Sequence, residues 1–128
     1  MKNKIVIGYA TAQTKDFRIR YNQEMTESSG LEEHELAFIP YENNGDLSLT
    51  ETYNDIWECA EIYKNAIFVF VHDDIHFRIR NWGRILLNLF NQHDVDIIGV
   101  AGTEVLHQHG AWLLNKNFEF DLTAVKRR

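Results

Sequence analysis

Residues 66–76, Ala-Ile-Phe-Val-Phe-Val-His-Asp-Asp-Ile-His, stay apolar for the length of a strand and then turn abruptly acidic. Asp73 and Asp74 stand where open α/β sheets build ligand and metal sites, at the carboxyl end of a strand. Adjacent carboxylates repel and are costly to bury unpaired. A divalent cation is one reason to place them together, and a solvated strand end is the other. His76 follows Asp74 by two positions, so an extended chain turns both side chains to one side, where they can share a cation; an ordinary surface histidine is the competing reading. Arg78, Arg80 and Arg84 offer positive charge to an anionic ligand, against the plainer reading of three solvated arginines. Glu104, His107 and His109 invite thoughts of zinc, but no cysteine-bearing or helical ligand frame accompanies them.

The elements that must carry these residues follow from the apolar pattern. Residues 66–71 have no polar side chain, which suits a parallel strand covered on both faces. Phe70 is then a core residue whose removal costs about 3–5 kcal/mol. Residues 4–10 read as a first buried strand, and residues 11–30 as a loop and a modest helix ending near Ser28-Ser29-Gly30. Residues 35–41 read as a second strand, closed by Pro40 and the turn-forming Asn43-Asn44-Gly45. Ser48 and Glu51 have capping-box spacing, and Leu49, Tyr53, Ile56, Trp57, Ala60 and Tyr63 recur at helical intervals, giving an amphipathic helix that ends near Asn65. Asn81 is placed to cap a further helix whose stripe is Trp82, Ile85, Leu86, Leu89 and Phe90. Residues 95–101 read as a fourth strand, with Gly99 and Gly102 allowing close backbone approach, and residues 110–122 as a hairpin or irregular cover. Alternating strands and helices predict an α/β fold: an open, mostly parallel Rossmann-like sheet of about four core strands with helices on both faces.

Composition narrows the setting. With 128 residues the chain is a single domain by size. Its net charge of −6 is uneven: residues 1–64 carry 6 basic and 12 acidic side chains, and residues 65–128 carry 7 of each. An acidic first half argues against nucleic acid as a partner, which requires a basic stripe. No apolar run reaches membrane-spanning length and no basic-then-apolar leader opens the chain, so the expectation is a cytoplasmic protein. The one cysteine, Cys59, falls within a helical pattern and is read as a packing residue. A short α/β domain with an open sheet edge also has reason to form a homodimer.

Tyr53-Asn54 on a capped helix, a strand ending His72-Asp73-Asp74, a helix beginning at Trp82, a strand running into Gly99-Val100-Ala101-Gly102-Thr103, and Gly110-Ala111-Trp112 together resemble a bacterial glycosyltransferase-like group related to family 2 of the nucleotide-sugar glycosyltransferases. The resemblance covers most of the chain. It implies a GT-A fold in truncated form, lacking the C-terminal acceptor portion, with His72-Asp73-Asp74 as the counterpart of the family's Asp-x-Asp motif. Carried over position by position, Asp74 is the ligand of Mn²⁺ or Mg²⁺ on the donor diphosphate, His72 holds the first place, near the ribose, and Asp73 the middle. Histidine in that first place departs from the motif and suits manganese better than magnesium. Asn43 and Asn44 stand where relatives have an acidic pair touching base or ribose, and Trp112 offers an aromatic face to a sugar, beside the plainer reading of packing at the sheet edge. No residue is singled out as the general base that an inverting transfer requires.

The function these expectations describe is metal-dependent sugar transfer from a nucleoside-diphosphate sugar to an unidentified acceptor, or the donor-binding half of such an enzyme. A catalytically degenerate binding or regulatory module of the same fold is the alternative. A small receiver-like or phosphoryl-transfer domain also groups acids at strand ends, but it needs an acid after the first strand, and Gly8-Tyr9-Ala10-Thr11 supplies none.

Overall fold

Lys4–Thr11 forms β1, and the reason is its alternation: Ile5, Ile7 and Tyr9 project to one face and Val6 to the other, and all four are essentially free of solvent contact. The structure, a computed structural model, describes residues 1–99. After β1 come α1 (Lys15–Ser29), a 3-10 turn at Glu33–Glu35, β2 (Leu36–Glu42), α2 (Leu49–Ala60), β3 (Ala66–Phe70) and α3 (Trp82–Gln92). Among the described residues the sheet has three strands in the order β2-β1-β3, all parallel, with Ile7 opposite Phe38 on one side and Val69 on the other. Each strand is joined to the next through a helix, as parallel neighbours require.

Helices cover both faces, as the alternation predicts. On one face Ile5, Ile7, Tyr9 and Ile67 pack with Tyr21 and Met25 of α1 and with Trp82 and Leu87 of α3. On the other, Val6 and Ala66 pack with Ala60 of α2. Burying each of the larger aliphatic side chains contributes about 1.5–3 kcal/mol relative to leaving it exposed. Gly8 lies where α2 comes closest to β1: a Cβ there would sit 2.3 Å from Ile56 Cγ2. Among the described residues every buried side-chain polar atom has a hydrogen-bond partner.

The helix ends follow their local chemistry. Thr14 caps α1 by accepting from the Phe17 N–H at 3.2 Å, and Gly30 ends it with a left-handed φ of 71°. The box before α2 is reciprocal, with Glu51 N–H donating to Ser48 Oγ and Ser48 N–H to Glu51 Oε2. Pro40 sits in β2, an edge strand of the described sheet, where its missing N–H costs no ladder bond on the open side.

Several expectations are corrected. β3 is not covered on both faces along its length; it lies at the other edge of the described sheet, and its burial fades from Ala66 to Phe70, which is 43% exposed. An unbroken apolar run does not reveal how many neighbours a strand has. Residues 95–99 form no strand, and the remainder of the expected fourth strand, Val100 and Ala101, lies outside the described residues. α2 ends at Ala60, before Asn65, and its buried stripe is Thr52, Ile56 and Ala60, with Leu49 and Trp57 exposed. Cys59 is exposed, so it is not a packing residue. Asn81 does occupy the N-cap position of α3, but in a left-handed conformation and without a capping side-chain bond. Trp82 behaves as the stripe predicts: it is buried, stacked on Phe77 at 4.1 Å, with its indole N–H on Ser28 Oγ.

Candidate functional site

The acids leave β3 in a tight turn. Val71 N–H still donates to Gly8 O, continuing the pairing with β1, and then Ile75 N–H donates to His72 O at 3.2 Å. Residues 72–75 therefore form a hydrogen-bonded turn whose two central positions are Asp73 and Asp74. This turn stands at the carboxyl end of the strand, as the sequence leads one to expect.

Three hydroxyls hold it from three different elements. Thr11, the last residue of β1 and almost fully buried, donates to Asp73 Oδ2 at 2.9 Å. Tyr53 of α2 donates to Val71 O at 2.5 Å and lies 3.5 Å from the Ala10 N–H, which donates to it. Tyr21 of α1 places its hydroxyl 2.5 Å from Ile75 O and 3.0 Å from His72 O. Burial pushes all of these phenols upward in pKa, and for Tyr21 the nearby carboxylates Asp73, Asp74 and Glu24 push the same way. They remain protonated donors across the neutral range.

Thr11 is also a junction between strand ends. Its hydroxyl accepts from Gln13 N–H at 3.0 Å, and its carbonyl accepts from Asn43 N–H at 3.0 Å. The Asn43 side chain is engaged in its own turn: Nδ2 donates to Leu47 O and Thr52 Oγ1, and Oδ1 accepts from the N–H groups of Gly45 and Leu47. Asn44 is exposed, its amide 3.4 Å from Glu42 Oε1. The structure thus brings the loop of Asn43 and the turn of Asp73 to the same rim through one residue, Thr11.

The remaining candidates separate. Asp74 is exposed and has no hydrogen-bond partner among the described residues, whereas Asp73 is half-buried and tied to Thr11. His72 is exposed, with the Tyr53 ring edge-on at 6.4 Å. His76 is not paired with Asp74; its Nδ1 meets Glu24 Oε1 of α1 at 3.1 Å, because the turn breaks the extended geometry that sharing a cation needs. Arg84 is likewise committed elsewhere, gripping Glu35 with both guanidinium nitrogens at 2.9 and 2.7 Å. Arg78 and Arg80 remain exposed in the segment that follows the acids. Glu104, His107, His109 and Trp112 lie outside the described residues.

The donor set fits a cation that a ligand's phosphates and water mostly hold. No group of three or more His, Cys, Asp or Glu side chains able to enclose a metal occurs among the described residues. A hard cation such as Mg²⁺ keeps several waters and takes one or two carboxylates when phosphate oxygens complete its shell. Asp74, exposed in the turn and without a hydrogen-bond partner among the described residues, offers one such carboxylate.

Thr11, Tyr21 and Tyr53 join the site only in the folded chain. Thr11 and Tyr21 gave no local signal, since what makes them relevant is contact across 62 and 51 residues of chain. Tyr53 falls on the helical stripe and in the Tyr53-Asn54 part of the family resemblance, but neither marks its hydroxyl as a hold on the turn.

No curated protein and no solved structure matches this chain significantly. No described helix is long and apolar enough to cross a membrane. The model of the family described as "Glycosyltransferase like family" does match, over residues 15–126. That span takes in α1, β2, α2, the acid turn and α3, and on it the chain belongs to the glycosyltransferase-like family related to family 2.

Proposed function

We propose that the chain transfers a sugar from a nucleoside-diphosphate donor, and that it holds the donor diphosphate at the turn of residues 72–75 through Asp74 and a divalent cation. The observation that carries the reading is the contrast between the two acids. Asp73 is held by Thr11 and serves the turn, while Asp74 projects from the same fixed turn with no partner among the described residues. Family membership makes sugar transfer the expected chemistry. Asp74, His72 and the loop of Asn43 and Asn44 surround one strand-end rim, where open α/β sheets take nucleotides.

The chemistry that bound Mn²⁺ or Mg²⁺ supplies in such a site is neutralisation of charge on the departing diphosphate. This chain's own contribution is positional. The parallel strands end together, the three hydroxyls immobilise the turn, and an exposed carboxylate is presented at negligible cost to the core. Asn43 acts through its backbone and its loop, because its side chain is already saturated by local hydrogen bonds.

Calorimetric titration with uridine, guanosine and thymidine diphosphates, with and without Mn²⁺, tests the reading. Binding that requires Mn²⁺ and disappears in Asp74→Ala is expected. A folded wild-type protein that binds none of the three sinks the donor-site reading in favour of an interaction module.

A further inference from the structure

Of the three hydroxyls that hold the acid turn, that of Tyr21 reaches both of its ends. Tyr21 is 3% exposed, its ring is edge-on to Tyr9 at 5.1 Å and stacked on Phe17 at 5.6 Å, and so its oxygen has little freedom to move. From that fixed place it meets the carbonyls at both ends of the turn, His72 O and Ile75 O. Those carbonyls belong to the residues flanking Asp73 and Asp74, so the hydroxyl spans the segment whose direction decides where both carboxylates point. A free four-residue turn of this kind readily exchanges between turn types, which would swing its central side chains.

We propose that Tyr21 is a positioning residue for the candidate donor site: its hydroxyl locks the turn of residues 72–75 in the single conformation that ties Asp73 to Thr11 and leaves Asp74 to the ligand. The role rests on the reading of Asp74 given above. Tyr21 hydrogen-bonds to neither carboxylate; it acts through the backbone on either side of the acids. α1 adds a second hold on the same segment, since Glu24, three residues beyond Tyr21, pairs with His76.

The structure contains its own control. Tyr9 belongs to the same core cluster and also buries a hydroxyl, which donates to Asn22 Oδ1 at 2.7 Å, but it makes no hydrogen bond to the turn. Tyr21→Phe and Tyr9→Phe each remove one buried hydroxyl while keeping the ring. A purely structural role makes them alike.

Amide hydrogen exchange of Ile75 reads the turn directly, without any ligand. In Tyr21→Phe that exchange is expected to accelerate about tenfold, the size that losing a buried hydrogen bond produces, and in Tyr9→Phe to stay close to wild type. Titration with Mn²⁺ and the three nucleoside diphosphates is expected to show about tenfold weaker binding for Tyr21→Phe alone. Unchanged Ile75 exchange in Tyr21→Phe, or equal acceleration in both variants, overturns the proposal. So does unchanged affinity in Tyr21→Phe beside a wild type that binds. If the wild type binds no nucleotide while the exchange contrast holds, the donor reading falls and the hold of Tyr21 on the turn stands.

Discussion

At the scale of single residues, the two adjacent aspartates have acquired different surroundings. Asp74 is exposed and outside the core, so Asp74→Ala should change unfolding free energy by no more than about 0.5 kcal/mol in urea titrations, while removing Mn²⁺-dependent binding. Asp73 answers to Thr11. Thr11→Val keeps the shape of that side chain but leaves a half-buried carboxylate without its donor, and should destabilise by about 1–3 kcal/mol. Thr11→Ser should recover most of the loss, because it restores the hydroxyl. If Val and Ser variants unfold at the same urea concentration, the bond to Asp73 has no energetic weight. The family resemblance singles out Asp74 along residues 72–74, but the bond from Thr11 that fixes Asp73 is not visible there.

At the scale of elements, β1 is the centre of the described sheet and β3 its edge. Ile7, without solvent contact on the central strand, should cost about 2–5 kcal/mol on replacement by Ala. Phe70, exposed by 43%, should cost only about 1–2 kcal/mol, well under the full aromatic value. Equal losses from the two would mean that the end of β3 is covered as fully as β1. The contact of α2 with β1 is just as specific. Gly8→Ala forces a methyl to within 2.3 Å of Ile56 Cγ2, and should destabilise by about 1–3 kcal/mol through overpacking, with partial relief when Ile56→Val is added. A double variant no better than Gly8→Ala alone would place the strain elsewhere.

At the scale of the whole molecule, stability should fall away on both the acid and the alkaline side, through different groups. Hydrogen bonds from Arg84 hold the Glu35 carboxyl below its ordinary value of 4.5. The unfolded chain therefore binds a proton there before the folded one does, so this contribution is present above about pH 4.5 and is lost as pH falls through the lower folded-state value. Arg84 is 44% exposed, so solvent screening keeps the contribution small. Glu35→Gln should flatten the acid limb of a stability-versus-pH curve and leave neutral stability almost unchanged. On the alkaline side burial raises Tyr9 from 10.0 to about 12, and Tyr21 and Tyr53 shift the same way. The unfolded chain ionises first, so stability present below pH 10 declines as pH climbs toward about 12. Tyrosinate absorbance across that range should show the buried rings ionising together with unfolding, not before it.

Much of this protein is legible along the chain because the signals are local. Alternation marks β1, reciprocal Ser48 and Glu51 mark the start of α2, Gly30 marks the end of α1, and the jump from apolar to acidic after Val71 marks the strand end that carries the site. Helix and strand periodicity, capping and strand-end polarity are dictated by neighbours a few residues apart, so reading in order suffices for the parallel α/β architecture and for the family resemblance. Tertiary structure alone decided which strand is central, which aspartate is free, and that Arg84 and His76 are spent on Glu35 and Glu24. It also brought Thr11, Tyr21 and Tyr53 from three elements onto one turn. Those outcomes depend on distances between residues far apart in the chain. They are set by how the helices pack on the sheet, which no local pattern encodes.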